Sequence, residues 1–421
     1  MFDYAPVTAA ARTAAPPTTS SRSEIPKANS ASMLLGTAHA GHGYTVQSKV
    51  ASDGRFHVYT FETEYGTYTV VGDGPAKKHV HELQALNKLK NYSPPVESAR
   101  AAGGAVIAPV KGLFTTVSNP IGAAQATRGN FERRFQAVQR GLSQAGEVVT
   151  TFRMPEKRGP DRESDSLIEK IVDRPKERRR IAEALKVDPY THFVPLSQKL
   201  DEVASYSAAG GFGASRALGF VTGEAGTVIS GLGTLESWAT ENLDMAADDM
   251  AAANRKRLQK LGISEGVIKR FLLADKLTPS EKTQAVGFLE RLSGTPGLDA
   301  LASSIPDSRT RHGAFAALQT MAYMAQQPFD GARAANAAVV EDVPVLALDD
   351  GRRVAFFASD ELFWTSGNAA QLSELTLALK EPRREGFKPE IWISGSASAS
   401  ARRELQSRGW LVKTNAFSAA H

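Results

Sequence analysis

Residues 44–72 alternate between apolar and polar side chains, as the strands of a half-buried sheet do. Three such runs begin at Tyr44, Phe56 and Thr67, and turn-forming tripeptides separate them. A helical spacing of apolar residues takes over after Pro75. The pattern predicts a three-stranded antiparallel meander followed by a helix.

Residues 196–335 carry apolar side chains at helical spacing and predict a central α-helical domain. The best-specified helix start lies at residues 278–281, where Thr-Pro-Ser-Glu supplies an N-cap, a proline at the first helical position and a capping-box glutamate. We therefore predict a helix that begins at Pro279.

Eight glycines crowd residues 210–233 inside this helical region. Each glycine in a helix interior costs about 1 kcal/mol relative to alanine, so close packing on a second helix or on another surface has to compensate. We predict a glycine-rich helical hairpin. The candidate interaction residues are Gly210, Gly213, Gly219 and Gly223.

Residues 336–421 combine short strands with helices. The runs 343–348 and 353–357 flank an Asp-Asp-Gly turn and predict a hairpin. A helix, a strand at 390–393, a second helix and a strand at 410–414 follow, and strand–helix–strand connections of this length imply a parallel crossover. The pattern predicts a small ββαβαβ domain.

Together these patterns predict an α+β protein with an N-terminal antiparallel β-meander plus helix, a central α-helical domain and a C-terminal ββαβαβ domain. The predicted divisions are 1–43 as a disordered leader or atypical signal, 44–150 as the meander with helices, 151–195 as a charged linker and helix, 196–335 as the helical domain, and 336–421 as the small α/β domain.

Composition narrows the possible chemistry. The 421 residues include no cysteine, which excludes disulfides, thiolate metal ligands and a cysteine nucleophile.

The net charge of +5 is small, and the basic cluster at 174–180 has acidic neighbours. We therefore interpret this cluster as a solvated helix face and expect no nucleic-acid binding. No apolar run reaches the roughly 18 residues that a transmembrane segment needs.

The N-terminal residues suggest export. Residues 1–32 are rich in Ala, Thr, Ser and Pro without apolar periodicity, which is typical of disorder. Lys27, a short apolar run at 31–38 and small residues at 38–40 follow the layout of a secretory signal. A linker that resembles a signal and a transit peptide are the alternatives. We expect an exported periplasmic or envelope protein, with a cytoplasmic protein as the alternative.

Three motif-like stretches have simpler structural explanations. Residues 262–266 fit the G-x-S-x-G of a nucleophile elbow, but a predicted helix precedes them, so we predict helix caps there. His81 and Glu82 begin a zincin-like pattern whose second histidine would stand at Ala85, so we predict that His79 and His81 are surface histidines without a metal site. Residues 211–216 begin like a dinucleotide fingerprint but end in arginine, and we expect no cofactor.

The loop 394–398 joins a predicted buried strand to a helix N-terminus. Free backbone N–H groups and the helix dipole favour an anion at such a place. We therefore name Gly395, Ser396 and Ser398 as candidate ligand-binding residues, with plain helix capping as the alternative.

Short motifs spread along the chain resemble those of a family of exported proteobacterial proteins with no assigned function. The motifs are Tyr65-Gly66-Thr67, the Val-Asp-Pro-Tyr-Thr of residues 187–191, Thr278-Pro279, Phe363-Trp364-Thr365 and the Ile-Ser-Gly of residues 393–395. The resemblance covers most of the chain after about residue 44. It implies an envelope location and transfers no catalytic residue.

These observations favour a non-enzymatic interaction or scaffold protein of the bacterial envelope, although they leave open whether the chain is an enzyme. The partner would be a protein or a membrane surface, contacted by the glycine-rich residues 210–233. The alternative is an enzyme or binding module for a small anionic or carbohydrate ligand in the C-terminal domain.

Overall fold

The computed structural model describes residues 23–90, 175–209, 245–327, 329–380 and 389–416. These residues form the predicted α+β fold, with an antiparallel sheet near the N-terminus, helices in the middle and a mixed sheet with helices near the C-terminus. None of the described helices combines the length and the hydropathy needed to cross a membrane.

The N-terminal sheet is built around one long strand. Its strands are β1 (Asn29–Ser30), β2 (Ala40–Gly41), β3 (Tyr44–Val46), β4 (Lys49–Ser52), β5 (His57–Thr63) and β6 (Gly66–Val71). Strand β5 pairs with β6 along one edge and with β3 and β4 along the other, and all these pairs are antiparallel. The predicted meander of β3, β5 and β6 is therefore confirmed. Strand β4 was not predicted. Its four residues include only one buried side chain, that of Val50, and this is too little to show the alternation of a strand.

Residues 23–43, which we expected in a disordered leader, belong to the folded structure. They contribute β1, β2 and the short helix α1 (Ala31–Leu35). The buried side chains of Ala31 and Leu35 join the N-terminal core, and this apolar burial is the physical reason for the difference. Residues 1–22 lie outside the described residues.

Three helices of the described residues cover the N-terminal sheet. They are α2 (Asp73–Lys90), α3 (residues 175–184) and α4 (Val194–Ala209). The predicted apolar face of α2 packs in one core with the sheet and with both other helices; examples from the three helices are Leu86, Ile181 and Leu200.

Among the described residues 245–327, five helices follow one another. They are α5 (Ala247–Lys260), α6 (Glu265–Leu273), α7 (Pro279–Arg291), α8 (Leu298–Asp307) and α9 (Arg311–Met324). The predicted start of α7 is confirmed, because Thr278 and Glu281 form a complete capping box with Pro279 at the first position. Between α5 and α6, Gly262 has a φ of +73° and Ser264 is the N-cap residue of α6, as expected for helix caps.

The C-terminal sheet has five strands, which are β7 (Ala334–Val340), β8 (Val343–Leu348), β9 (Arg353–Phe357), β11 (Glu390–Ile393) and β13 (Leu411–Lys413). Their order across the sheet is β13-β11-β9-β8-β7. The predicted β8–β9 hairpin is antiparallel, and β9, β11 and β13 are parallel. Both predictions are confirmed, and β7 is an addition.

Two helices and a small second sheet complete this part. The helices are α10 (Ser366–Lys380) and α11 (Ala399–Ser407), and β10 (Glu361–Leu362) pairs in parallel with β12 (Ser396–Ala397). One face of the five-stranded sheet shares a core with the middle helices through Val354, Phe356 and Trp392. The other face packs against α10 and α11. The predicted domain boundaries stay predictions.

Candidate functional site

The turn between β4 and β5 docks on the C-terminal domain through its backbone. The carbonyl oxygen of Gly54 accepts the N–H of Phe363 and the side-chain amide of Asn368, both at 2.9 Å. The carbonyl oxygen of Arg55 accepts the N–H of Asp360 at 2.8 Å. Gly54 has a φ of +101°, and a Cβ there would lie 2.8 Å from Thr365 Cγ2, so the turn requires glycine. The docked turn fixes the start of β5 beside Asp360.

The side chain of Arg55 strengthens this docking. Its guanidinium lies 4.2 Å from the ring centroid of Phe357 and donates a 3.0 Å hydrogen bond to the Ala358 carbonyl. Burial lowers the pKa of Arg55 to about 10, so the group remains a cation at neutral pH.

A histidine and two aspartates meet next to this turn, and we call them the His57 cluster. Nδ1 of His57 lies 2.7 Å from Asp73 Oδ1, and that oxygen also accepts the Tyr59 hydroxyl at 2.6 Å. Oδ2 of Asp360 lies 3.8 Å from Nδ1 of His57. The same oxygen accepts the backbone N–H groups of His57 and Asp73 at 2.9 and 3.1 Å. Strand β5, helix α2 and the β9–β10 connection thus each contribute one side chain.

The other ring nitrogen of His57 also faces polar atoms. Its Nε2 lies 3.1 Å from the side-chain amide nitrogen of Asn29 and 3.9 Å from Glu361 Oε2. The Asn29 amide also donates to Glu361 at 3.3 Å. Three carboxylates therefore surround an imidazole whose side chain is 4% exposed.

The electrostatics separate the two aspartates. Burial and the charge of Asp73 raise the pKa of Asp360 to about 7. Burial also disfavours the charge on Asp73, but hydrogen bonds from His57 and Tyr59 outweigh it and lower the pKa of Asp73. Burial alone would lower the pKa of His57; the hydrogen bond to Asp73 and the nearby carboxylates raise it instead. Chemically, the cluster can share a proton or hold a cation: one ligand atom each from His57, Asp73 and Asp360 lie within 4.8 Å of one another.

A second polar cluster centres on Glu281 in α7, which is 3% exposed. Its carboxylate receives both terminal nitrogens of Arg311, at 2.9 and 3.1 Å, and the ammonium of Lys78 at 2.7 Å. These two cations outweigh the effect of burial and hold the pKa of Glu281 well below its usual value. The cluster joins α2, α7 and α9.

Two of the short sequence motifs meet beside Glu281. Asp188, from the motif 187–191, accepts hydrogen bonds from the hydroxyls of Thr278 and Ser280. Thr191 of the same motif donates to Glu82 in α2. These residues tie the connection between α3 and α4 to the start of α7.

The predicted loop 394–398 is held by bonds within the chain. The N–H groups of Gly395, Ser396 and Ser398 donate to carbonyl oxygens of residues 359, 360 and 362, at 2.8 to 3.0 Å. A Cβ at Gly395 would lie 2.1 Å from the Asp360 carbonyl oxygen, so the close approach requires glycine. Ser398 caps α11 through its hydroxyl and donates to the carboxylate of Glu24 at 2.6 Å. This geometry is that of helix capping, which was the alternative interpretation of the loop. A ligand-binding role of the three residues stays a prediction.

The glycines and the histidine that remain from the sequence predictions differ in what the structure shows of them. Gly210, Gly213, Gly219 and Gly223 lie outside the described residues. His79 is buried among Phe61, Tyr68 and Phe193 and is not the surface histidine that we expected.

No sequence pattern indicates the His57 cluster. Its members stand 16 and 303 residues from His57, and no motif spacing connects them. The available signal was weak: a histidine at a strand start and an aspartate at a helix start.

No protein-family model, no curated protein and no solved structure matches this chain. The resemblance to a family of exported proteobacterial proteins therefore stays a prediction.

Proposed function

We propose that this chain is a non-enzymatic interaction protein of the bacterial envelope, in which a rigid body presents the glycine-rich residues 210–233 to a protein partner or a membrane surface. The described residues flank that stretch at Ala209, where α4 ends, and at Met245. The carbonyl oxygen of Met245, the first described residue after the stretch, accepts the hydroxyl of Tyr190 at 2.8 Å.

The observation that supports the proposal most directly is that the polar clusters bond parts of the chain to one another. The docked β4–β5 turn, the His57 cluster and the Glu281 cluster each bond segments that are far apart in sequence. Such internal bonding makes a body that keeps its shape, which is what a scaffold needs when it offers a fixed surface to a partner.

The alternative, a small anionic or carbohydrate ligand in the C-terminal domain, gains no support from the loop 394–398. The backbone N–H groups that would hold an anion already donate hydrogen bonds to carbonyl oxygens of the chain itself. The carboxylate of Glu24 already lies at the N-terminus of α11, bonded to Ser398 and to the N–H of Trp364. We therefore propose the interaction function alone.

The test replaces two glycines of the proposed contact face, Gly219→Leu together with Gly223→Leu. The matched control is Gly266→Leu with Gly367→Leu, since both are helical glycines around which a Cβ meets nothing within 4 Å. Chemical cross-linking in envelope preparations of the native host measures association.

We expect the Gly219/Gly223 variant to lose at least tenfold of the cross-linked species at an unchanged melting temperature, while the control keeps it. Equal cross-linking by both variants, or no cross-linked species with the unmodified chain, would contradict the proposal.

A further inference from the structure

We propose that His57, Asp73 and Asp360 bind one divalent transition-metal ion, of the Zn²⁺ or Mn²⁺ type, and that the ion joins the N-terminal sheet to the C-terminal domain. This inference is independent of the proposed interaction function and concerns a different part of the chain.

The positions of the ligand atoms carry the inference. One ligand atom from each of His57, Asp73 and Asp360 lies within 4.8 Å of the other two. Nδ1 of His57 is 2.7 Å from Asp73 Oδ1 and 3.8 Å from Asp360 Oδ2. An ion about 2.0–2.2 Å from nitrogen and oxygen ligands fits among atoms at such separations after small side-chain shifts. On binding, the ion takes the place between His57 Nδ1 and Asp73 that a proton occupies otherwise, and that proton is released to solvent.

The surroundings of the three residues match those of metal ligands. A metal-bound histidine usually donates its second ring N–H to a carboxylate or carbonyl oxygen, and Oε2 of Glu361 lies 3.9 Å from Nε2 of His57. The side-chain amide nitrogen of Asn29 lies 3.1 Å from Nε2, so on metal binding this amide has to turn its oxygen towards the protonated Nε2. The Tyr59 hydroxyl orients the carboxylate of Asp73, and two backbone N–H groups orient that of Asp360. These contacts fix the ligand set before an ion arrives, and they set it apart from a loose group of surface acids.

Charge and ligand type indicate which ion. One imidazole among three carboxylates leaves negative charge that a divalent cation neutralises. A nitrogen ligand favours transition metals over Mg²⁺ and Ca²⁺, which prefer oxygen alone. Asp73 is 34% exposed and Glu361 28%, so an ion can reach the buried histidine from solvent on that side.

The experiment uses the full chain, stripped with a chelator and titrated with Co²⁺ while its visible absorption is recorded. We expect one Co²⁺ per chain with ligand-field bands, and stoichiometric displacement by Zn²⁺. Asp73→Asn should weaken binding at least tenfold. The double variant His39→Gln with His42→Gln, which removes the half-buried His39 and the exposed His42, should bind as the unmodified chain does.

Circular dichroism in chelator shows whether each variant is folded. Should Asp73→Asn not fold, Glu361→Gln replaces it, and a change in the Co²⁺ bands is then the expected result. The proposal is overturned by absence of Co²⁺ uptake at micromolar concentration, by unchanged binding in a folded Asp73→Asn chain, by unchanged bands in Glu361→Gln, or by loss of binding in the double histidine variant.

Discussion

Glu281 shows at the residue scale what a buried charge requires of its neighbours. Its carboxylate is 3% exposed and is bonded to both Arg311 and Lys78, which come from two other helices. Removing one member of such a buried group leaves the others desolvated and uncompensated. The identity of this residue therefore affects stability far more than that of an ordinary helix-surface glutamate.

We predict that Glu281→Gln destabilises the fold by about 3–5 kcal/mol, because Arg311 and Lys78 lose their common carboxylate. The control is Glu290→Gln in the same helix. That glutamate also binds an arginine through two bonds, to Arg257, but its side chain is 40% exposed, so a loss below about 1 kcal/mol is expected. Urea denaturation measures both. Equal losses for the two variants would contradict the account.

His192 makes stability depend on pH in the same region. Burial and the charge of Arg311 lower the pKa of His192 to about 4 in the folded chain, against an ordinary value of 6.5. Below pH 6.5 the unfolded chain therefore binds the proton more readily than the folded chain does. Stability contributed by the neutral ring is present above pH 6.5 and is lost as the pH falls towards 4.

We expect the free energy of unfolding to decrease between pH 6.5 and 4, and His192→Gln to make that decrease shallower. The exposed His42→Gln serves as the control and should leave the slope unchanged. Urea denaturation at half-unit pH steps provides the measurement. A slope that is the same in His192→Gln and in the unmodified chain would refute this role.

At the scale of the elements, the sequence predicts a helix or strand correctly where that element's own residues mark its start, its end or its periodicity. The capping sequence at 278–281, the β8–β9 hairpin and the strand at 390–393 all carry their own start, stop or periodicity, and the structure has them as predicted. Strand β7 has no such signal, because the alanines of residues 334–340 have low strand propensity. Its place in the sheet depends on pairing with β8 and on packing against α8.

The contact between α8 and β7 depends on one glycine. Gly297 has a φ of +87°, and a Cβ there would lie 1.8 Å from the carbonyl oxygen of Ala337 in β7. The N–H of Ala337 in turn donates to the Pro296 carbonyl at 2.8 Å. Strand and helix therefore approach more closely than any side chain permits.

We predict that Gly297→Ala destabilises the fold by about 2–4 kcal/mol, from the left-handed backbone and from the clash with Ala337. The matched control is Gly294→Ala, whose φ is +84° but whose Cβ would meet nothing within 4 Å; backbone strain alone should cost about 1–2 kcal/mol. Thermal denaturation compares the two. If Gly294→Ala is as damaging as Gly297→Ala, the close approach is not what the glycine provides.

At the scale of the whole molecule, side chains that meet across long sequence separations could not be predicted. His57 and Asp360 are 303 residues apart, and Lys78 and Glu281 are 203 apart, while alternation and helix periodicity report only on neighbours along the chain. The sequence therefore indicated the elements and the fold class, but not the two clusters that join them. The sequence of the loop 394–398 shows that it can cap a helix. It does not show that its backbone N–H groups bond to residues 359–362.

The same long-range bonding gives the chain the fixed shape that the proposed association with other envelope components requires. The most direct measurement is fractionation of native host cells, followed by sizing of the native chain. We expect the chain to be recovered with the periplasm or envelope, at a size well above that of a 45.1 kDa monomer. Recovery in the cytosol as a free monomer would contradict it.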